Sequence, residues 1–475
     1  MPRCLIPVLL ALSGAVAADD RPNFLIVMVD DMGYGDAGCF GGRHDATPAL
    51  DRMAAEGMRW TDFHSSGCVC SPTRAGLLTG RYQQRAGIPG VVYAAFGRNR
   101  HHGLQHSEIT LPEMLRDAGY QTAMFGKWHL GYERKYNPVT HGFDRFTGYV
   151  SGNIDFHAHI DGAGVFDWWQ GQQPHHESGY TTHLITQHTC EFLQSAAAQD
   201  APFFVYVAHE APHDPYQTPE DPPVRKVGSG QPLWDHREPR HAATAYARMI
   251  KEMDDGLGQI FRTLQQLDQD RRTLVFFFSD NGATGPGSCG GLYGMKGTLW
   301  EGGHRVPAVV RWPGVIPAGT TNASLACSID LMPTLLELAD ITPPSDHLLD
   351  GVSLVRQLRT PSVADSAAED TSARKLFWEY GAAASMRDGR WKLVVNGGRP
   401  LPDRNNARPH INWASAGDGR DKLALFDLAA DINEVTNLVK EHPDRVAAMR
   451  AAIETWREDV ARGATAQPNR QTPNR

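Results

Sequence analysis

The sequence has no basic surplus with which to wrap a polyanion: 46 Lys and Arg face 54 Asp and Glu, a net charge of −8 with 21% charged residues. Nucleic-acid binding is therefore excluded as the main activity. A membrane anchor is missing as well. The longest apolar run, Cys4–Val16, is too short to span a bilayer and contains Pro7, and no later stretch is long and apolar enough. Cysteine is scarce, seven in 475 residues, and its spacing does not resemble a dense disulfide scaffold. No internal repeat is apparent. Disorder of the whole chain is excluded by a hydrophobic content of 41%.

What is present points to a large exported domain with a smaller companion. Met1-Pro2-Arg3, the apolar run and Ala15-Val16-Ala17 form a short basic start, an apolar core and a small-residue cleavage site. Residues 1–17 are expected to be a signal peptide, and the mature chain periplasmic or secreted. The 47 Gly and 31 Pro imply many loops, and 21 His with 11 Trp lean towards an enzyme or a sugar binder.

Four apolar runs read as buried parallel strands, each ending in polar residues. Asn23–Val29 ends at Asp30-Asp31, and Thr122–Phe125 ends at Gly126-Lys127-Trp128-His129. Pro202–Ala208 ends at His209 and His213, and Thr273–Phe278 ends at Ser279-Asp280-Asn281-Gly282. Helical signals lie between them. Thr47-Pro48 starts a helix that stops at Gly57, Thr110 and Glu113 form a capping box, and apolar residues recur at helical spacing from Tyr246 to Leu267. This alternation is that of an α/β domain whose ligands bind beyond the carboxyl ends of the strands. After about residue 355 the texture becomes that of a second unit. Leu376–Tyr380, Met386–Val395 with a turn at Asp388-Gly389, and Leu423–Leu428 read as strands, followed by a helix to about Arg462. The expected divisions are 18–355, 356–462 and a flexible tail, 463–475.

Three motifs tempt and fail. His209-Glu210-Ala211-Pro212-His213 matches the HExxH string, but it follows a strand-like run and Pro212 interrupts any helix. Gly285–Gly290 matches GxGxxG without a helix after it. Cys68 to Arg74 has the spacing of a cysteine-phosphatase anion loop, but lacks its glycines.

The chemistry gathers elsewhere. Asp30, Asp31, Asp280 and Asn281 end two strands of one expected sheet. Either pair alone is an ordinary turn cap. Two together offer four oxygen ligands to a hard cation, calcium or magnesium. Lys127, His129, His213 and Lys296 sit in loops that would converge on that metal and make an anion-selective pocket. Pro72 suits a first helical turn, placing Cys70 at a helix N-terminus that lowers a thiol's pKa and attracts anions; otherwise Cys70 is an ordinary buried cysteine.

Cys70-Ser71-Pro72-Thr73-Arg74, continued by Leu78-Thr79-Gly80-Arg81, resembles the signature of type I, formylglycine-dependent sulfatases. Asp30–Asp36, Gly126–Gly131, Ala211-Pro212-His213, Ser279–Gly282, Lys296–Gly303, Arg387–Leu393 and Leu425–Leu428 follow in the family's order. The resemblance implies an alkaline-phosphatase-like fold: a mixed, mostly parallel sheet flanked by helices, with a C-terminal α+β subdomain containing an antiparallel sheet. It implies that a maturation enzyme oxidises Cys70 to formylglycine, whose hydrate attacks the sulfur of a sulfate ester and then expels sulfate. Asp30, Asp31, Asp280 and Asn281 would bind one calcium ion together with the residue made from Cys70. Arg74 would hold the diol and His129 orient it, Lys127 and Lys296 would bind sulfate oxygens, and His213 would protonate the leaving alcohol. His209 receives no role.

Thr73 replaces the more usual Ser or Ala, His183 stands where relatives often carry Asp, and Cys68 is free to pair with a partner left open. Resemblance is strongest to arylsulfatases and N-acetylgalactosamine-6-sulfatases, including Thr342–Asp346. A sulfated saccharide is the expected substrate, with aryl sulfates as artificial ones. Asp155, His157, His159, Asp167, Trp168, Trp169, His175 and His176 are candidate sugar contacts, or equally an ordinary surface loop. A phosphate mono- or diesterase of the same superfamily and a non-catalytic carbohydrate-binding relative are the alternatives.

Overall fold

The computed structural model describes residues 20–42, 46–93, 99–199, 201–228, 239–360, 374–397, 414–415 and 422–468. The expected signal peptide and the expected loop over 361–373 lie outside them. No helix among the described residues is long and apolar enough to cross a membrane.

The main sheet has ten strands: β1 (Asn23–Val29), β2 (Met58–Trp60), β3 (Gln121–Lys127), β4 (Arg145–Tyr149), β5 (Trp169–Gln170), β6 (Gln173–Pro174), β7 (Phe203–Ala208), β8 (Thr273–Ser279), β9 (Ala308–Arg311) and β10 (Thr320–Asn322). Their order is β10-β2-β9-β8-β1-β7-β3-β4-β5-β6. The central five, β8-β1-β7-β3-β4, are parallel, and β9 runs antiparallel to both neighbours. Apolar residues on both faces of β1 make sense in this setting. Phe24, Ile26 and Met28 join Leu274, Phe276 and Phe278 in one core, while Leu25, Val27 and Val29 join the opposite one. The second core is roofed by α4 (Thr181–Ala197) and α5 (Pro239–Gln266), through Leu184, Ile185, Met249, Met253 and Leu257. Helix α5 starts seven residues ahead of the expected Tyr246.

Helices α1 (Pro48–Glu56) and α3 (Leu111–Asp117) take the expected places, the latter with Thr110 accepting from the Glu113 amide. Helix α2 (Cys70–Thr79) is buried along its whole length and ends at Gly80 in the left-handed region. Helix α6 (Leu331–Leu338) follows.

The C-terminal sheet pairs β11 (Lys375–Tyr380), β12 (Ala383–Asp388), β13 (Trp391–Val395) and β14 (Lys422–Asp427) antiparallel. The expected turn forms one residue later, as a two-residue hairpin loop Gly389-Arg390 between the paired Asp388 and Trp391, with Gly389 at φ +55°. One face packs on α7 (Pro443–Arg462) through Val446, Met449 and Ile453; the other carries Val394, Ala424 and Phe426 onto Trp300 of the main domain. Where the sequence anticipates a flexible tail from Gly463, the chain turns back against the main domain. The Thr465 amide donates to the Arg85 carbonyl at 2.8 Å, and Gln467 Nε2 donates to the Gly87 carbonyl at 2.9 Å. Residues 469–475 lie outside the described ones.

Candidate active site

Strands β1 and β8 are parallel neighbours in register Val29↔Ser279, so Asp30-Asp31 and Asp280-Asn281 leave the sheet side by side. The crossing is fixed locally: the Asp280 amide donates to the Val29 carbonyl at 3.0 Å, and the Met32 amide to Ser279 Oγ at 3.1 Å. Asp31 sits at φ +68°. Lys127 is the last residue of β3, delivered by Gly126 at φ +105°, where a Cβ would meet the Ala208 carbonyl oxygen at 2.0 Å. The residues following β7 run to His213 without forming a helix, which disposes of the zinc-protease string.

These side chains meet in one cluster, in which Asp30, Asp31, Cys70, Arg74, Lys127, Asp280 and Asn281 are buried while Lys296 and His213 keep partial exposure. Arg74 Nη2 lies 2.9 Å from Asp280 Oδ2 and 3.4 Å from Asp30 Oδ2, and Lys127 pairs with Asp30. Lys296 Nζ lies 2.6 Å from Asp31 Oδ1, which also accepts from Asn281 Nδ2 at 2.7 Å. His213 Nε2 is 3.6 Å from Asp31 Oδ2. Cys70 begins α2, and its thiol donates to Asp30 Oδ1 at 3.4 Å. One possible ligand atom from each of Asp30, Asp31, Cys70 and His213 lies within 4.8 Å of the others.

Three carboxylates, Asp30, Asp31 and Asp280, balance the cations Arg74, Lys127 and Lys296, so the cluster is neutral with His213 uncharged. Two acceptors are left over: Asp31 Oδ2 and Asn281 Oδ1 are buried with no hydrogen-bond partner. Hard, desolvated oxygens of this kind fit a hard divalent cation. A bound dication would turn the neutral cluster into one with two net positive charges, an anion trap.

Burial pushes Asp280 up to about 7 and raises Asp31. Burial acts on Asp30 too, but the charges of Lys127 and Arg74 hold it well below the carboxylate range. Burial, with Lys296 adding to it, takes His213 down to about 4, so its imidazole is neutral. His213 Nδ1 faces the Asp214 carbonyl at 2.7 Å, which puts the ring proton on Nδ1 and leaves Nε2 on the Asp31 side.

For Cys70 the sequence expectation is reversed. Desolvation first, then Asp280 and Asp30, drive its thiol well above the usual range and outweigh the helix terminus. As a thiol, Cys70 is a poor nucleophile. Cys68 is buried in an apolar cluster with Leu299, Cys327 and Trp378, and the six described cysteines form no disulfide among themselves.

His129 is buried, and its Nε2 lies 3.0 Å from the Val92 carbonyl. Burial, then Lys127 and Arg74, hold it well below the usual imidazole range. It is a neutral ring with Nε2 protonated, and its Nδ1 is buried without a partner. His209 is an apolar-core histidine pushed down to about 3 by burial alone. Thr73 pins the approach to Cys70, with its hydroxyl 3.1 Å from the Gly67 carbonyl and 3.2 Å from the Gly67 amide. His183 pairs with Glu252 at 2.7 Å.

Several candidate sugar contacts are spent on structure. Asp155 accepts four backbone amides, from His157, Ala158, Val224 and Arg225. Asp167 holds Val150, Ser151 and the Trp169 indole, and His159 stacks on the fully buried Trp168. Sequence reasoning passed over Tyr206, whose hydroxyl lies 3.4 Å from Arg74 Nη1, and Asp214, whose carbonyl faces His213 Nδ1. The tyrosine lies within an otherwise apolar-looking strand, so only the fold reveals its partner.

A family model described as Sulfatase matches residues 22–341. The chain belongs to the sulfatase family. A second model, N-sulphoglucosamine sulphohydrolase, C-terminal, matches residues 291–394. The sulfatase is 36% identical to N-acetylgalactosamine-6-sulfatase of Rattus norvegicus over 76% of this chain and 70% of the relative. It is 31% identical to arylsulfatase G of the same species, over 91% of this chain and 85% of that one. The crystal structure of Ps i-CgsB superposes with TM-score 0.77 at 23% identity, covering 92% of each chain. BT4656 in complex with D-glucosamine-2-N,6-O-disulfate superposes with TM-score 0.68 at 21% identity, over 93% and 98%. Both share the fold. The enzyme is a sulfuric ester hydrolase.

Proposed function

We propose that this sulfatase cleaves sulfate esters of carbohydrates, using formylglycine made from Cys70 beside one calcium ion held by Asp30, Asp31, Asp280 and Asn281. The observation that carries the reading is the pair of orphaned oxygens, Asp31 Oδ2 and Asn281 Oδ1, in a buried carboxylate cluster at the start of the Cys70 helix. Calcium suits a cage of protein oxygens, whereas magnesium tends to keep several waters. Hydrated formylglycine supplies an oxygen nucleophile where the raised thiol of Cys70 cannot, and calcium supplies Lewis-acid polarisation.

The remaining work falls to this chain's own side chains. Arg74, anchored by Asp280 and by the Lys127 carbonyl at 2.9 Å, holds the nucleophile's oxygens. Lys127 and Lys296 bind sulfate oxygens and stabilise the charge that builds during S–O cleavage. His129 presents Nδ1 as an acceptor for the nucleophile's proton. Arrival of the anionic substrate beside His213 favours its protonated form, so Nε2 delivers a proton to the leaving alcohol.

Support for a sugar comes from the relatives, one named for N-acetylgalactosamine 6-sulfate hydrolysis and one an arylsulfatase. With Asp155, Asp167 and Trp168 occupied, Tyr93, 48% exposed, and the half-buried Tyr380 are further rings available to meet it. The Tyr380 hydroxyl lies within electrostatic reach of Tyr93, Cys70 and Lys296. Export to the periplasm or beyond and maturation by a formylglycine-generating enzyme complete the reading; the oxidising compartment is then compatible with a catalytic position that no longer carries a thiol.

The deciding measurement is the mass of the Cys70 peptide from protein made with the maturation enzyme, followed by sulfate release from N-acetylgalactosamine 6-sulfate. A formyl group in place of the thiomethyl group is expected. An unmodified thiol, in a host that matures a control sulfatase, overturns the mechanism.

A further inference from the structure

Resting on the reading of Cys70 and His129 as catalytic, we propose that Gln467 is a positioning residue for the reaction. Its amide clips together the base of the loop that carries Val92, and Val92 in turn sets His129 and Ser71 beside the nucleophile.

Buried Val92 has no strand or helix to satisfy its backbone. Its carbonyl takes the His129 Nε2 proton at 3.0 Å, and its amide donates to Ser71 Oγ at 3.1 Å. The catalytic tautomer of His129 is thus fixed by one peptide carbonyl, and the neighbour of Cys70 is tied to the same peptide. The chain leading there contains Gly87, at φ +76°, and Gly90, with open space around it; Ile88 is buried and Asn99 Nδ2 donates to the Val91 carbonyl at 2.7 Å, but no strand or helix runs through the segment.

A further tie comes from the far end of the sequence. Both hydrogens of the Gln467 amide are used, Nε2 donating to the Gly87 carbonyl and to the Gly103 carbonyl, each at 2.9 Å. Its Oε1 accepts from the Gly103 amide at 3.1 Å and from Gln105 Nε2 at 3.0 Å. Gly87 and Gly103 flank Val92 in the chain, so one side chain pins both feet of the loop. The strap bearing Gln467 is itself held: Thr465 Oγ1 bonds Glu108, and the Thr465 carbonyl runs so close to Gly87 that a Cβ there would lie 2.4 Å away. On the Gly103 side the clip also reaches the segment just after His129, because Leu104 donates to the Leu130 carbonyl at 2.9 Å and Gly103 bridges Gly131.

The test uses full-length matured enzyme, 4-nitrophenyl sulfate as probe, and hydrogen exchange of peptides covering Tyr82–Tyr93. Gln467→Ala is expected to raise exchange there and to lower kcat about tenfold with KM moving less, as loss of several hydrogen bonds at a positioning contact predicts. Gln467→Glu keeps the shape, loses both N–H donors, and should match it. In a His129→Ala background, Gln467→Ala should change kcat less than about twofold, since the two act on one contact. Unchanged exchange and kcat in Gln467→Ala would overturn the clip. The same loss factor in both backgrounds would overturn its route through His129. Wild-type turnover by His129→Ala would instead sink the catalytic reading of that histidine, and the proposal with it.

Discussion

Lys392→Met offers a sharp test of how the C-terminal sheet is joined to the catalytic domain. The Lys392 ammonium is fully buried, 3.0 Å from Glu301 Oε1, 3.0 Å from Glu434 Oε1 and 3.2 Å from His304 Nε2. Around it, Asp62, Glu301 and Glu434 are balanced by Arg305, Arg387 and Lys392, with Arg387 reaching Glu301 at 3.1 Å and Asp62 at 3.0 Å. Methionine fills the same space and leaves one negative charge uncompensated. Breaking a buried pair from one side costs about 3–5 kcal/mol. With an unfolding entropy near 2 cal/mol/K per residue, 475 residues give about 1 kcal/mol/K, so each kcal/mol moves Tm by about 1 °C.

The cost should depend on pH in a definite direction. Burial, opposed by Lys392, holds Glu434 up at about 7, while Lys392 and Arg387 overcome burial to hold Glu301 well below its usual range. Without the ammonium, Glu434 rises further and takes up a proton that neutralises the orphaned charge. A carboxyl raised in the native state binds more protons folded than unfolded between 4.5 and its folded value, so stability falls as pH climbs through that window. The variant extends this window upward. Its Tm deficit against wild type should be about 3–5 °C at pH 8 and about 1–2 °C at pH 6, calcium held constant, by scanning fluorimetry. An equal deficit at both values, or a larger one at pH 6, would show that Glu434 does not relieve the charge.

Three further outcomes follow from the active site. His213→Ala should cost about 10²–10⁴-fold in kcat/KM on an alkyl or sugar sulfate, where the leaving alcohol needs a proton, and much less on 4-nitrophenyl sulfate; equal losses would remove His213 as the acid. Asp31→Asn should leave calcium unable to raise Tm at concentrations that stabilise wild type, read by titration after chelation, because it removes charge from the buried oxygen set; an unchanged calcium response would displace Asp31 as a ligand. Tyr380→Ala should raise KM for a sugar sulfate about fivefold, with little effect on an aryl sulfate, as stacking contributes about 1 kcal/mol; a loss on both probes alike would assign the ring to packing.

Much of this site was readable because each element announces where it stops. Apolar residues on both faces mark β1, β7 and β8 as central strands, and polar residues after such strands must lie at one edge of the sheet. The convergence of Asp30, Asp31, Asp280 and Asn281 then needs only the register Val29↔Ser279. Electrostatic outcome was not readable in the same way. That Cys70 starts a helix was visible, yet its thiol is ruled by Asp30 and Asp280, which are brought to it by the fold. The helix end contributes partial charges over one turn, whereas full charges in a desolvated cluster act more strongly.

The same distinction explains the loop residues. Composition marks Asp155, Asp167 and Trp168 as able to bind a sugar, because type alone decides capacity. Occupancy decides availability. A carboxylate that already accepts four backbone amides, as Asp155 does, has no lone pair to offer a hydroxyl, and an indole with no exposed surface has no face to stack on. Gln467 is the converse. In a polar tail its type signals nothing, yet four hydrogen bonds to Gly87, Gly103 and Gln105 consume the whole amide. Each bond joins residues more than 300 positions apart, so no local pattern encodes it. Such a contact can be found only by asking where each buried or ordered polar group spends its hydrogen bonds.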